Sequence, residues 1–477
     1  MDGSGEIAER RKGLSYSGYI KRDLREPDNE ITRAGPGTPL GEYLRRFWQP
    51  VCMSEQLKGV PLSIRIMNEE LVAFRDKRGK VGVLHKHCLH RGASLEYGVI
   101  QEAGIRCCYH GFQFDVDGTI LDIPGELDRG AKLCQTLSQG AYPAFEREGL
   151  VFAYMGPPEH KPPFPNWDAF EKHQDTCLVP FTNVFPCNWL QTVDNIADQL
   201  HTSILHQPVD QLYNGELPEG LDASRLTLQG FEILPVLDYM PLRDGTSMAF
   251  IACRRLDEQK VWVRVNECIL PNMTQHAYLF EDGAERRLFH RVHMSRWYVP
   301  VDDTHSIIFG WRMFGKAIDP RQLGEKERVG WDKMDFLDAQ VGHRSYEEGQ
   351  LLPGDYEAIV GQRDIAIHAL ENPIASDVGV YMFRKLLRAG VNGSNPGASP
   401  EAMHARAVEG LPTHCYTQNS VLAISERPTE EEDRKTLKAL GRRVVDAIAK
   451  GDAYVGEERD VFVRGLLQDI ERGYSGA

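Results

Sequence analysis

The sequence predicts an α+β protein in which a small antiparallel β domain precedes a larger antiparallel sheet covered by helices. Short runs of alternating apolar and polar residues recur between Leu62 and Tyr154, and longer ones run from Arg225 to Phe314. A helical stretch precedes the second set and others follow it, the order of an antiparallel sheet with helices against one face.

At 477 residues the chain is long enough for two or three domains. Residues 1–45 read as an N-terminal segment packing on the larger domain, 46–158 as the small β domain and 159–477 as the larger one. In the small domain the strands are LSIRIM from Leu62, LVAFR from Leu71 and VGVL from Val81, with a turn at Asp76–Gly79. FQFDVDGTI reads as a hairpin turning at Asp117-Gly118, and a strand pair near Ala144–Tyr154 closes the unit. Pro157, Pro158, Pro162, Pro163 and Pro165 mark a linker. In the larger domain RLTLQGFEILPVL, SMAFIACRRL and KVWVRVNECIL read as strands, with two more between Arg286 and Phe314. Gly354–Gly390 is a long helical candidate interrupted at Asn372-Pro373, and a last helix starts with a capping box at Thr429–Glu432 and ends near Lys450.

A net charge of −14 argues against non-specific binding to nucleic acid or an anionic membrane surface. No apolar run approaches the roughly 18 residues of a spanning helix. The polar N-terminus and ten cysteines without paired spacings predict a cytoplasmic protein.

Two motifs carry chemistry. Cys88–His110 contains C-x-H, sixteen residues, then C-x2-H. Two thiolates and two imidazoles in paired loops suit a Rieske centre, where cysteines hold one iron of a [2Fe–2S] cluster and histidines the other. A four-ligand zinc site is the competing reading; the glycine that continues each loop, Gly92 and Gly111, argues for the cluster. CCYH offers two thiolates, and the spacing selects Cys107 over Cys108. The second motif is DNIADQLHTSILH, Asp194–His206, with Asp198, His201 and His206 in D-x2-H-x4-H spacing. Two histidines and a carboxylate suit a first-row metal that keeps open positions. Ile196, Leu200, Ile204 and Leu205 form a helical stripe, and residues three apart share a face, so Asp198 and His201 can meet. Histidines five apart share one metal only if the helix bends, widens or ends between them.

Together these motifs resemble the catalytic α subunit of Rieske non-haem iron oxygenases, in particular the phthalate dioxygenase type. RAGPGTPLGEYLRRFWQPV, NWLQTVDN and SDVGVYMFRKLL extend the resemblance from about residue 30 to 390. It implies a helix-grip-type catalytic domain, cluster ligands Cys88, His90, Cys107 and His110, and mononuclear Fe(II) ligands His201 and His206. The third ligand implied is Asp355, sixteen residues before Glu371, with Glu357 the competing carboxylate. Asp198 matches the aspartate that links a cluster histidine of one subunit to an iron histidine of the next, in a homotrimer or stacked trimers.

The resemblance further implies an oxygenase using O2 to hydroxylate or dihydroxylate an aromatic acid, with O-demethylation of a methoxylated aromatic as the alternative. With no dinucleotide-binding glycine motif in the chain, electrons come from a separate NAD(P)H-dependent reductase, with or without a ferredoxin. A Rieske electron carrier is the alternative of another class. Arg264, in the alternating strand VWVRV, either points into a cavity to pair with a substrate carboxylate or lies on the solvated face.

Overall fold

The computed structural model describes residues 25–170, 175–206, 230–336 and 340–475. The first part of the chain builds three small sheets. β1 (Gln49–Met53) pairs with β11 (Leu150–Ala153), which pairs with β10 (Ala144–Arg147). β2 (Leu62–Ile66), β3 (Glu69–Arg75), β4 (Val81–His85) and β9 (Ala141–Tyr142) form the second. β5 (Val99–Ile100), β6 (Ile105–Arg106), β7 (Gln113–Phe114) and β8 (Ile120–Asp122) form the third. The β7–β8 connection needs Gly118: its φ is +84°, and a Cβ there would lie 2.1 Å from the Gln139 carbonyl oxygen. Val72, Phe74, Leu84, Leu95, Ile105 and Phe114 make the core beneath these last two sheets, and Cys88 and Cys107 are part of it.

Beyond the proline-rich linker, one nine-stranded antiparallel sheet dominates. Its path is β12 (Cys177–Phe185), β19 (Ser306–Phe314), β18 (Val292–Pro300), β16 (Met273–Ala277), β15 (Lys260–Ile269), β14 (Ser247–Asp257) and β13 (Val236–Leu242). β20 (Gln418–Ala423) pairs with β15 and with β17 (Arg287–His290). Period-two alternation divides β14 and β15 between two faces. Ile251, Cys253, Val261, Val263 and Val265 meet Leu437, Leu440, Val444 and Ile448 of the helix Glu430–Lys450, with Val463 and Leu467 of the helix Gly456–Ser475. The other face of β15 carries Arg264 and Asn266 toward a cavity. Aromatic packing joins the two parts of the chain: Phe152 meets Trp297 edge-on at 5.5 Å and Trp311 at 5.7 Å.

Several expectations are corrected. Asp194–His206 is not one helix: the helix Trp189–Ala197 ends, Asp198 turns extended with ψ 104°, and a short helix Thr202–Leu205 follows. Of RLTLQGFEILPVL, residues 225–229 lie outside the described residues. Residues 230–235 are turn and irregular chain, so the strand starts only at Val236. Three strands, not two, lie between Arg286 and Phe314, and β20 was not anticipated. Gly354–Gly390 is not a long helix but a short one, Asp355–Val360, two 3-10 turns, then a helix over Val378–Val391. The helix Glu430–Lys450 is not the last, since Gly456–Ser475 follows it; at its start the Thr429 hydroxyl accepts from Glu432 N, and Glu432 bonds that hydroxyl rather than the Thr429 backbone.

β19 is tied to the irregular segment beneath the site by Arg312 and Asp335, both fully buried, with bonds of 3.0 Å (Nε–Oδ1) and 2.9 Å (Nη2–Oδ2). Arg312→Met leaves a buried carboxylate without its cation, a loss expected to be about 3–5 kcal/mol. It is read as a lowered chemical-denaturation midpoint, and Asp335→Leu in the same chain restores most of it.

Candidate metal centres

The two cluster loops share one backbone plan. Gly92 N donates to Cys88 O at 2.9 Å, and Gly111 N to Cys107 O at 3.1 Å. Cys88 N donates to Ala93 O at 2.9 Å, and Cys107 N to Phe112 O at 2.8 Å. Both glycines take positive φ, +74° and +77°, which closes each turn tightly enough to aim the flanking side chains at the facing loop. Cys88 and Cys107 are buried, whereas His90 and His110 are exposed with ring centroids 4.6 Å apart. Phe112 stacks on His90 at 4.8 Å. Burial pushes the Cys88 thiol up to about 11; the backbone N–H of His90 opposes this, and the nearby Cys107 thiol adds to it. Two buried sulfurs and two imidazoles at a tip fit a cluster whose histidine-held iron faces outward. Cys108 is exposed, on the other side of its loop from the buried pair. Arg91 lies over the exposed Tyr109 ring at 5.9 Å, and its backbone N–H, not its guanidinium, faces the Cys88 thiol.

The second site forms because the Trp189 helix ends. Asn188 caps its start by accepting from Leu190 N at 3.2 Å. Past Ala197 the chain turns, and the Asp198 backbone carbonyl accepts from His201 Nδ1 at 2.5 Å. His201 and Asp198 therefore do meet, but across the helix end rather than along a shared face; their side chains are 3.8 Å apart. The break lets His201 and His206 converge, ring centroids 5.2 Å apart and nearly perpendicular. Asp355, the first residue of its helix, completes the group. Its Oδ1 lies 3.4 Å from His201 Nε2 and 3.3 Å from His206 Nε2. These three are the one such donor group among the described residues whose ligand atoms all lie within 4.8 Å of one another. Glu357 instead accepts from Gly354 N at 2.9 Å and pairs with Arg344, so it is turned away.

The donor chemistry fits a divalent cation. A carbonyl only accepts, so His201 Nδ1 carries the proton and Nε2 presents a lone pair toward the carboxylate. Burial holds His201 below its usual range, so the ring is neutral, although the Asp355 carboxylate opposes this. Asp355 Oδ1 is buried and accepts no hydrogen bond among the described residues, while Gln340 Nε2 donates to Oδ2 and fixes the carboxylate. Burial alone would raise the Asp355 carboxyl, but the two imidazoles and Gln340 hold it well below the usual carboxylate range. An ionised oxygen beside two imidazole nitrogens in a buried site, with a lone pair on His201 Nε2, is a donor set that suits a cation.

Beside this group the described residues enclose a cavity of about 50 Å³. Ile196, Phe231, Leu279, Met294 and Phe336 supply apolar wall, and Arg264, Asn266, His276 and Arg296 supply polar wall. Arg264 is buried and lines the cavity, which removes the solvated-face reading. It donates to the Tyr278 and Ala277 carbonyls at 2.9 and 3.2 Å and leaves Nε without a partner among the described residues. Burial, reinforced by Arg254, pushes its guanidinium down to about 9. Gln340, Asn266, His276 and Arg296 were not anticipated. Asn266 was legible, two places along the strand from Arg264; nothing local marks Gln340. His290 is no part of either site: its Nε2 is bonded to the Ile318 carbonyl at 2.8 Å.

Comparison with known proteins identifies the family. A family model, the Rieske [2Fe-2S] domain, matches residues 47–132. The oxygenase subunit of a tert-butanol monooxygenase/tert-amyl alcohol desaturase from Aquincola tertiaricarbonis is 48% identical over 472 residues, spanning 98% of each chain. The α subunit of phenoxybenzoate dioxygenase from Ectopseudomonas oleovorans is 34% identical over 405 residues, covering 81% of this chain and 90% of that one. The crystal structure of dicamba monooxygenase bound to dicamba superposes with a TM-score of 0.52 at 17% identity, over 74% of this chain and 99% of that one, a likeness of fold. The chain belongs to the Rieske non-haem iron oxygenases. It is an oxygenase component of a multicomponent system, an enzyme whose cofactors are a [2Fe–2S] cluster and a mononuclear iron and whose electrons come from a separate reductase. No helix among the described residues is long and apolar enough to cross a membrane.

The burial difference between adjacent cysteines is directly testable. Cys107→Ser is expected to abolish the visible absorbance of the cluster, and Cys108→Ser to leave it intact. Loss of the cluster only in the Cys108 variant reverses the assignment.

Proposed function

We propose that His201, His206 and Asp355 hold the mononuclear Fe(II), and that Cys88, His90, Cys107 and His110 hold the cluster. The observation that carries this reading is the buried Asp355 Oδ1, which has no hydrogen bond among the described residues and faces two imidazole nitrogens. Bound there, iron supplies the redox chemistry that couples O2 to the substrate. The protein's own part is to hold that group still. The Asp198 carbonyl keeps His201 in the Nδ1–H tautomer, and Gln340 keeps one carboxylate oxygen occupied so that the other points inward. Arg384 clamps the Trp189 helix by gripping Asp194 at 2.6 Å and Glu371 at 2.8 Å.

Within one chain Asp198 is a third exposed, and its carboxylate accepts from Leu200 N at 2.9 Å. The exposed histidine tip of the cluster is its natural partner across a subunit boundary. This supports a homotrimer, alone or stacked, in which the cluster of one subunit delivers electrons to the iron of the next. A reductase drawing on NAD(P)H, with or without a ferredoxin, feeds the cluster, in the cytoplasm.

The substrate we infer is an aromatic acid, its ring over the iron and its carboxylate toward Arg264 and Arg296, neither of which has a carboxylate partner among the described residues. A second reading is a small branched alcohol, favoured by the compact cavity and by the 48% identity to the tert-butanol/tert-amyl alcohol oxygenase. With a reductase and NADH supplied, product masses separate the two, and loss of a methyl group with formaldehyde identifies O-demethylation. Iron content tests the site itself: about three irons per chain are expected, falling to about two in Asp355→Ala with the cluster spectrum unchanged. Three irons in that variant contradict the assignment.

A further inference from the structure

Gln139 is a buried polar residue fifty positions on from Leu89, and its side-chain bonds all go to the chain around Cys88. Its Oε1 accepts from Leu89 N at 2.8 Å, and its Nε2 donates to the His85 and His87 carbonyls, both at 2.9 Å. One amide thus holds backbone groups on both sides of a ligand thiol. Both of its N–H groups are spent on them.

The small domain is shaped to bring Gln139 there. It stands just before β9, which pairs with β4, the strand that runs into the first cluster loop. Its N donates to Gly118 O at 2.9 Å, and Gly140 O accepts from His85 N at 2.8 Å. A Cβ on Gly118 would strike the Gln139 carbonyl, and one on Gly140 would lie 2.2 Å from His85 Nδ1. Two glycines therefore make room for the approach.

Other side chains close the far ends of the loops. In each, the residue before the cysteine bonds the glycine carbonyl: His87 Nδ1 donates to Gly92 O at 3.0 Å, and Arg106 Nη1 to Gly111 O at 2.7 Å. Gln139 acts nearer the metal, on the peptide that joins Cys88 to Leu89. The next two backbone N–H groups, those of His90 and Arg91, face the Cys88 sulfur. Hydrogen bonds to a cluster's sulfurs favour the extra negative charge of its reduced form and raise its potential.

We propose that Gln139 is a positioning residue for the cluster: by fixing Leu89 N and the His85 and His87 carbonyls, it aims the His90 and Arg91 N–H groups at the Cys88 sulfur and raises the reduction potential. The proposal rests on the assignment of Cys88, His90, Cys107 and His110 to the cluster, which fails separately if the cluster survives Cys107→Ser. A glutamine that merely satisfied buried backbone groups would affect stability and leave the potential alone.

Redox titration of the full-length, cluster-loaded protein, with the electron paramagnetic resonance of its reduced form, tests this. Gln139→Met keeps the volume and removes every bond; Gln139→Asn keeps the amide but is one methylene too short to span the three groups. In both, the g values should shift and reduction should become harder. The Met variant should disfavour the reduced form about tenfold, ~59 mV for a one-electron couple. Should it take up no cluster, the Asn variant decides. Val72→Ala, a cavity in the core of the same domain, should lower the chemical-denaturation midpoint and leave potential and g values unchanged. Two results overturn the proposal: cluster-loaded Gln139 variants with the potential and g values of the unmodified protein, or a Val72→Ala variant in which both move as far.

Discussion

The rest of the site is arranged around one contact: the buried Oδ1 of Asp355, without a hydrogen bond among the described residues, faces the Nε2 atoms of His201 and His206 at 3.4 and 3.3 Å. Burying an ionised carboxylate costs several kcal/mol; Gln340 offsets part of this at Oδ2, and no described residue hydrogen-bonds Oδ1. The surroundings prevent the obvious escapes. Gln340 occupies Oδ2, so the carboxylate cannot rotate without losing a bond. Glu357, capping Gly354, fixes the start of the helix that presents Asp355. The Asp198 carbonyl fixes the His201 ring. What remains is a preorganised electron-rich pocket, whose completion by a cation the donor set itself invites.

Both halves of this arrangement were only partly readable from the chain. The cluster loops were legible because the motif contains its own geometry: each ligand cysteine is followed four residues later by a glycine that takes positive φ, Gly92 and Gly111. The histidine stretch was legible in composition but not in shape. Ile196, Leu200 and Ile204 keep helical spacing straight through the break, so periodicity alone continues a helix that the structure ends at Ala197. The break is a tertiary requirement, met by an extended Asp198, not a local propensity. Gln340 left no trace, because its partner lies fifteen residues on, beyond the short helix Tyr346–Leu351. β20 escaped for a similar reason: its six residues are bounded by no turn signal, and it pairs with β15, far back in the sequence. For Arg264 the alternation gave the face, but which face turns inward depended on where the C-terminal helices pack.

Those helices decide the division of labour on the large sheet. By covering the Val261–Val263–Val265 face they leave the Arg264–Asn266 face for the iron cavity, and strand alternation then fixes what each neighbouring residue can reach. The cluster shows a parallel asymmetry, cysteines in a core and histidines at an exposed tip. On the proposed reading, a cluster exposed on its histidine side and a partly exposed Asp198 beside His201 are surfaces that copies of one chain would bring together. The two proposed stations are therefore best understood as halves of a relay completed between subunits.

Diffraction from crystals of the intact protein, recorded on either side of the iron absorption edge, tests this most directly. The account predicts three anomalous peaks per chain: two adjacent ones within the Cys88, His90, Cys107 and His110 loops, and a third bounded by His201, His206 and Asp355. A fully loaded protein with no peak among those three side chains, or with its third iron elsewhere, would contradict it.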